Sequence, residues 1–315
     1  MIKILANALI PVFAGLLAGY IAGLRKYVDN KNVKSFIIFV MSFAVPCALF
    51  ATIARTPHHL LWGQGKIAAV LVIVYGIIYA VTYFSSRVIS KNSARDSSVF
   101  ALTLTFPNIA AVGFPLLEAM YGVQQDIVVV IGIAVGAITI TAITLAILEA
   151  GTVEGQALST AACVRNSMWK ALKKPVFWAP VLGILAVIIG VHLPSYLDRS
   201  LAIFASATAG SALFLTGLVV SAQRFKLTWG VIWGVTVKNI LQPALCLGVA
   251  YLLALPLDLT RSVVLMAAIP CGFFGIVFGK HFDVTPSVAS SSLIASYVVG
   301  IFSLAGWIIV LTWLH

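Results

Sequence analysis

Residues 103–122 read TLTFPNIAAVGFPLLEAMYG, a stretch that is almost wholly apolar and long enough to cross a membrane. It nevertheless contains Pro107 next to Asn108, followed by Gly113 and Pro115. A proline in a helix interior removes a backbone donor and clashes with the preceding turn, at a cost of about 3 kcal/mol or more. In hydrocarbon, such a break persists only where it is packed in protein or lines a watery cavity. The stretch therefore predicts an interrupted membrane helix.

The composition predicts that the rest of the chain lies in a membrane as well. Of the 315 residues, 61% are hydrophobic and 9% are charged, whereas soluble domains carry about 25% charged residues. Ten apolar runs approach the length of about 20 residues that a bilayer core requires. They cover residues 4–24, 36–54, 67–86, 97–121, 126–149, 176–193, 200–222, 229–254, 261–280 and 287–313. We predict an all-α polytopic membrane protein with ten transmembrane helices.

Lysine and arginine predict the orientation of these spans. Fourteen of the 20 lie in odd-numbered loops, five lie at the N-terminus or in even-numbered loops, and Lys238 lies inside a span. Cytoplasmic loops are enriched in these residues, so we expect cytoplasmic odd loops and both termini outside. The polar connection 150–175 is then a cytoplasmic linker, whose basic end predicts a short amphipathic surface helix. This loop bias explains the net charge of +11 without a nucleic-acid partner.

The two sides of the linker resemble each other. IPVFAGLLAGYIAGL (10–24) resembles APVLGILAVIIGVHL (179–193), and CALFATI (47–53) resembles SALFLTG (211–217). Because five spans is an odd number, the second half must enter the membrane from the opposite side. We therefore predict two inverted five-helix repeats, 1–149 and 176–315, an architecture found in many secondary transporters.

The prolines of spans four and nine occupy matching positions in the two halves. Pro107 lies about 16 Å into its span and Pro270 about 18 Å, at a rise of about 1.5 Å per residue. Two breaks at one depth suggest one shared site. Each break exposes a helix N-terminus with free N–H groups and partial positive charge, which suits a carboxylate. Asn108 adds a donor and an acceptor, and Gly272 permits close approach of the backbone.

Two ionisable residues inside predicted spans leave alternatives open. An intramembrane ion such as Lys238 is a functional candidate by default, and it either attracts an anion or pins the transport machinery. The alternative is a lysine that snorkels to a membrane face. For Glu118 we favour a carboxylate that faces the outside, and the alternatives are a proton carrier or a partner of Lys238.

Several common sites are not predicted. The breaks have no pair of mid-span acids beside them, so sodium coupling is unsupported, although backbone and asparagine oxygens alone can bind sodium. We assign His58 and His59 to a solvated loop, and the serines at 290–292 to close helix packing. Four scattered cysteines predict neither a disulfide framework nor a metal site. We predict no cofactor, metal or catalytic site.

Three segments carry a resemblance to a known family. TFPNIAAVGFPLLEAMYG (105–122), SFAVPCALF (42–50) and AAIPCGFFGIVFGKHFDVTP (267–286) resemble the auxin efflux carrier family, which includes plant auxin exporters and bacterial malonate and malate permeases. The resemblance extends over almost the whole chain. It implies that helices four and nine cross at Pro107 and Pro270 in mid-membrane, and that Asn108 contacts substrate. It also implies a scaffold and dimer interface of spans 1, 2, 6 and 7, and a moving transport domain of spans 3–5 and 8–10.

We therefore predict a secondary transporter of mono- or dicarboxylates such as malonate or malate, which works by elevator-like alternating access. It is expected to be a homodimer in the plasma or inner membrane, with a proton or sodium left open as the coupling ion. The alternatives are a sodium-coupled organic-anion symporter of the bile-acid type and a non-transporting intramembrane enzyme or receptor. The predicted substrate-binding residues are Asn108, Pro107, Pro270, Cys271, Gly272, Gly113 and Lys238. The predicted hinges are Pro107, Pro270, Pro115 and Pro46.

Overall fold

The computed structural model describes residues 2–30, 33–56, 64–150, 173–191 and 193–314. Regular structure in these ranges is helical, apart from one isolated antiparallel bridge between Pro107 and Cys271. The predicted surface helix of the linker falls outside the described residues, as do His58, His59 and Cys163.

Twelve helices follow one another in the described ranges. They are α1 (Ile2–Leu24), α2 (Lys34–Ala54), α3 (Gly65–Val88), α4 (Ala94–Thr105), α5 (Phe114–Tyr121), α6 (Asp126–Ala150), α7 (Pro175–Ile189), α8 (Ser195–Ser221), α9 (Trp229–Leu252), α10 (Leu257–Ala267), α11 (Phe274–His281) and α12 (Ser287–Thr312). Six of these, α2, α3, α6, α8, α9 and α12, are long and apolar enough to cross a bilayer. The all-α membrane class is thus confirmed. The other predicted spans correspond to shorter apolar helices in α1 and α7, and to the pairs α4–α5 and α10–α11.

Three predicted span boundaries differ from the observed helices by four or five residues. The sixth span was expected to reach residue 193, but α7 ends at Ile189 because Gly190 takes a left-handed conformation, with φ of +75°. Helices α8 and α10 begin five and four residues earlier than the apolar runs 200–222 and 261–280. Their first turns contain Asp198 and Asp258, which suit the positive end of a helix but do not count as apolar.

Wide π-turns precede three of the prolines. They cover Val40–Ala44 before Pro46, Ile109–Gly113 before Pro115, and Val237–Leu241 before Pro243. A proline has no N–H and its ring clashes with the carbonyl four residues earlier, so the helix widens by one residue at that turn. At Pro243 the affected carbonyl belongs to Asn239, and the indole Nε1 of Trp307 donates to it at 3.0 Å. The predicted hinges Pro46 and Pro115 thus lie at π-turns.

Helices α1 and α8 make the most extensive helix pair in the structure. Gly15, Gly19 and Gly23 recur every four residues and lie on one face of α1. A Cβ atom at Gly19 would lie under 3.0 Å from the backbone of Phe214 in α8. This small-residue packing brings the two backbones together, as is usual where membrane helices associate without a hydrophobic driving force.

The close approach predicts the effect of one added methyl group. In Gly217→Ala, the new Cβ would lie under 3.0 Å from the carbonyl oxygen of Leu16. We expect a loss of about 1–3 kcal/mol of stability, because a backbone atom cannot turn aside as a side chain can. Gly210→Ala in the same helix is the matched control, since no atom lies within 4 Å of its Cβ position. The melting temperature of purified protein measures both, and an equal effect of the two substitutions would contradict the packing.

Candidate functional site

The first interruption follows α4. This helix begins at a serine N-cap, in which the Ser93 hydroxyl oxygen accepts from the backbone N–H of Asp96 at 3.0 Å. Its last residue is Thr105, and the following Phe106 is extended (φ −91°, ψ 104°) because Pro107 disfavours a helical conformation in the preceding residue. Asn108 (φ −75°, ψ 59°) then forms an inverse γ-turn, in which the Ile109 N–H donates to the Pro107 carbonyl at 2.8 Å. The chain resumes through the π-turn into α5.

The second interruption separates α10 from α11, and it lies directly against the first. The Asn108 N–H donates to the Pro270 carbonyl at 3.0 Å, and the Gly272 N–H donates to the Phe106 carbonyl at 2.8 Å. These two bonds make an antiparallel pair centred on Pro107 and Cys271. Backbone groups that the prolines release from their helices therefore find partners in the other half of the chain.

Gly272 allows this contact. A Cβ atom there would lie well under 3.0 Å from the Phe106 carbonyl oxygen. Its φ is not in the left-handed region, so space and not backbone conformation requires glycine at this position. Gly275 meets α4 in the same way, because its Cβ would collide with the backbone and hydroxyl of Thr103.

The side chain of Asn108 is 2% exposed and has one polar atom to spare. Its Nδ2 donates to the hydroxyl of Tyr297 in α12 at 2.6 Å. Its Oδ1 has no hydrogen-bond partner among the described residues. Because a tyrosine hydroxyl both donates and accepts, a half-turn of the amide would exchange the two roles and leave Nδ2 free. One amide atom of Asn108 is available for a ligand in either orientation.

Lys238 is completely buried, so it does not snorkel to a membrane face. Its Nζ donates to the side-chain oxygen of Gln242 at 2.9 Å and to the carbonyl of Ala267, the last residue of α10, at 3.0 Å. The side-chain nitrogen of Gln242 donates to the carbonyl of Thr105, the last residue of α4, at 2.9 Å. Glu118 is exposed on α5 and is not among the hydrogen-bond partners of Lys238.

Helix α12 supports the second interruption from the other side. The Ser296 hydroxyl oxygen accepts from the Cys271 N–H at 3.2 Å and donates to the side-chain oxygen of Asn239 at 2.7 Å. The side-chain nitrogen of Asn239 donates to the Ser296 carbonyl at 3.0 Å and to the Ser303 hydroxyl at 3.1 Å. The short chain between α10 and α11 is thereby held by side chains of α9 and α12.

A small cavity borders the interruptions, and a larger one lies on the far side of Tyr297. The small one, of about 30 Å³, separates α2 from the interruptions and is lined by Phe106, Pro107, Ile109 and Phe273, with Val45, Leu49 and Thr52 on the α2 side. The larger one, of about 380 Å³, lies between α1, α8 and α12, and Tyr297 is part of its wall. Tyr297 therefore stands between the Asn108 amide and the larger cavity.

The predicted site residues fall into two groups. Pro107, Asn108, Pro270, Cys271 and Gly272 come together, and Lys238 is one hydrogen bond from the end of α10. Gly113 instead packs beside Ile109 and Val129, at the junction with α6.

Sequence reasoning missed Tyr297 and Ser296. A signal for Ser296 was present in α12, where Ser292, Ser296, Gly300 and Ser303 recur at intervals of three or four and share one helix face.

Sequence comparison with known proteins places this chain among membrane transport proteins. A family model described as "Membrane transport protein" matches residues 4–308. An uncharacterized transporter named YfdV, from Escherichia coli strain K12, is 28% identical over 313 residues, which is 98% of each chain. Auxin efflux carrier component 5 of Arabidopsis thaliana is 25% identical over 343 residues, 98% of this chain and 97% of that carrier. The lysosomal cholesterol signaling protein of Mus musculus is 24% identical over 323 residues, 96% of this chain and 37% of that protein.

Proposed function

The chain belongs to the membrane transport protein family, together with the auxin efflux carriers that its motifs resemble, and from this premise we propose that it is a secondary transporter of small organic anions. The substrates are mono- or dicarboxylates such as malonate or malate. The observation that carries the proposal is the contact between two interrupted helices beside a buried asparagine with a spare polar atom. Membership in a transporter family also accords with a protein that is not an enzyme.

The chemistry of the contact suits a carboxylate. Helices that restart inside a membrane present N–H groups and the positive end of their dipoles to an anion. The free atom of the Asn108 amide becomes a donor when the Tyr297 hydroxyl turns to donate to Oδ1. A neutral amide donor at the positive end of a helix dipole binds an anion without a fixed countercharge, so release on the other side is not opposed by a salt bridge.

The proposed architecture has ten spans in two inverted repeats, 1–149 and 176–315, joined by the linker 150–175. Spans 1, 2, 6 and 7 (α1, α2, α7 and α8) form the scaffold, and spans 3–5 and 8–10 form the transport domain. Packing supports this division, because α1 and α2 both pack on α8, and α7 packs on α2. Each interruption rests mainly on elements assigned to the transport domain, α9 and α12 among them.

Cavity size supports movement of one part against the other. The cavity between α2 and the interruptions measures about 30 Å³, which is room for a water molecule or two. Ligand sites generally measure about 300–1,000 Å³. Room for a dicarboxylate on the α2 side of the interruptions therefore requires α2 and the interruptions to separate, as in an elevator-like displacement of the transport domain.

The proposal also places the protein in the plasma or inner membrane, with both termini outside, as a homodimer formed through the scaffold. The lysine and arginine bias of the loops supports the orientation. On α7, Trp178, Leu182 and Leu185 are each more than 40% exposed and are spaced along one helix face. That apolar face is suited to lipid or to a second copy.

Uptake by liposomes tests the proposed function. Reconstituted protein is expected to move labelled malonate or malate, and Asn108→Ala is expected to reduce uptake at least about tenfold, the equivalent of one hydrogen bond of about 1.4 kcal/mol or more. Asn108→Asp should be as damaging, since it keeps the shape but places a negative charge against the substrate. Both variants lose the buried hydrogen bond to Tyr297, at a cost of about 1–3 kcal/mol, so uptake is compared for equal amounts of folded protein at a temperature below their lowered melting points.

Asn92→Ala is the matched control, because this amide lies in a loop and donates to the Ser86 hydroxyl at 3.0 Å. It should leave uptake unchanged. Normal uptake by the folded Asn108 variants would rule out the assigned site, and a wild-type protein that moves no carboxylate would rule out the proposed function.

A further inference from the structure

Two helices of the structure end inside the membrane region, one in each half of the chain. Helix α4 ends at Thr105 and helix α10 at Ala267, and both residues are completely buried. The last carbonyls of a helix lack partners within it and carry the negative end of its dipole. In transporters with interrupted helices, half-helix C-termini of this kind coordinate the coupling sodium ion or proton.

Here the carbonyl groups bind side chains of α9. The ammonium group of Lys238 reaches the Ala267 carbonyl at 3.0 Å, and the amide of Gln242 reaches the Thr105 carbonyl at 2.9 Å. A third hydrogen bond, of 2.9 Å, joins Lys238 to Gln242. These three hydrogen bonds form a buried bridge between α4 and α10, which runs from Thr105 through Gln242 and Lys238 to Ala267.

The acceptors around Lys238 are the ones a sodium ion would use. Both oxygens that its Nζ meets are neutral, one from a backbone carbonyl and one from a side-chain amide. An isolated buried charge is costly, and the negative dipole end of α10 offsets part of that cost in place of a carboxylate. The ammonium group thus places a monovalent cation against two neutral oxygens at a buried helix C-terminus.

We infer that Lys238 is a tethered cation that occupies the position of a coupling sodium ion, so that the transport cycle needs no sodium. This role in a transport cycle rests on the proposed function, but Lys238 is not part of the Asn108 site. Lys238 acts here as a positioning residue: it holds the ends of α4 and α10 together and does not contact the substrate.

Sodium dependence tests the inference in two readouts. Melting temperatures are compared in sodium chloride and in choline chloride at equal ionic strength, and uptake is measured in the same two salts. The wild type should behave identically in both. Lys238→Ala should lose uptake about tenfold or more in choline, roughly the effect of one charge-assisted hydrogen bond. Sodium should raise its melting temperature by several degrees, because the ion enters the vacated space between the Gln242 and Ala267 oxygens.

Lys66→Ala is the matched control. Lys66 also donates to a backbone carbonyl, that of Ala254, at 3.1 Å, but it does so at an exposed position. The melting temperature and the uptake of Lys66→Ala should be the same in sodium chloride and in choline chloride. If Lys238→Ala does not fold, Lys238→Ser, which also leaves the space beside the Gln242 and Ala267 oxygens open, is measured by the same criteria.

Two results would overturn the inference. One is a wild-type protein that sodium stabilises or stimulates. The other is a folded Lys238 variant whose melting temperature has no sodium dependence, which is what a lysine that binds the substrate anion directly would give. The thermal readout does not require uptake, so failure of the proposed function and failure of this inference are distinguishable.

Discussion

Gly272→Ala is expected to abolish uptake and to destabilise the protein by more than about 3 kcal/mol, above the usual range for an overpacked methyl group. The added Cβ would meet the Phe106 carbonyl oxygen, the same atom that accepts the Gly272 N–H at 2.8 Å. Moving the chains apart to relieve the collision would also break the bond from Asn108 N–H to the Pro270 carbonyl. A buried backbone group left without a partner costs about 1–3 kcal/mol.

Gly248→Ala provides the comparison for this prediction. Gly248 lies inside α9, and no atom is within 4 Å of its Cβ position. An alanine in an open helical position is neutral or stabilises by up to about 1 kcal/mol. Melting temperature and liposome uptake should therefore separate the two variants clearly. A Gly272→Ala protein as stable and active as Gly248→Ala would mean that the two interruptions do not touch.

Gln242→Met is expected to lower the free energy of unfolding by about 2–6 kcal/mol, although the two side chains are similar in volume. The substitution leaves the Thr105 carbonyl without its donor and Lys238 without one of its two acceptors. Each loss of a buried partner costs about 1–3 kcal/mol. Backbone amides of the last turn of α4 should also exchange faster with solvent deuterium, because the bond that fastens this turn to α9 is gone.

The control is Gln124→Met. Gln124 donates to the Tyr121 carbonyl at 2.8 Å from an exposed position, where water replaces the lost bond. Its effect should stay within about 0.5 kcal/mol, as for most surface substitutions. Equal stabilities of the two variants, or unchanged exchange in α4, would show that the buried bridge carries little energy.

The bridge also bears on how the transporter moves. Because Gln242 and Lys238 connect the ends of α4 and α10 through α9, the two interruptions cannot separate without breaking buried hydrogen bonds. Conformational change is less costly along the border with α2, which meets the interruptions across a small apolar cavity. This difference favours motion of the interruptions as one body against α2.

Much of the fold could be predicted because a membrane makes strong demands on local sequence. A spanning segment needs about 20 apolar residues, and a proline inside one needs an outside partner for the released backbone groups. These demands located the runs that became α2, α3, α6, α8, α9 and α12, and they located both interruptions. Errors arose where local chemistry other than hydropathy sets a helix end, as at Gly190 and before Asp198.

The candidate site was predictable only in part. Pro107, Asn108 and Pro270 carry signals in their own neighbourhoods, and matching positions in the two halves suggested that they meet. Tyr297 is 189 residues from Asn108 in the chain, and Gln242 is 137 residues from Thr105. A tyrosine or glutamine within an apolar helix has no local pattern that identifies so distant a partner.

The sequence by itself determined that this chain is helical, belongs in a membrane and has helix breaks near Pro107 and Pro270. Hydrocarbon offers no hydrogen-bond partners, so backbone groups must pair within the chain. A proline inside a helix removes one of those pairings. Only the tertiary structure decided which groups replace those partners. A released carbonyl can pair with any donor, and a released N–H with any acceptor, that packing brings within about 3 Å. Lys238, Gln242, Ser296 and the opposite interruption hold those places because α9, α12 and the two broken helices pack together.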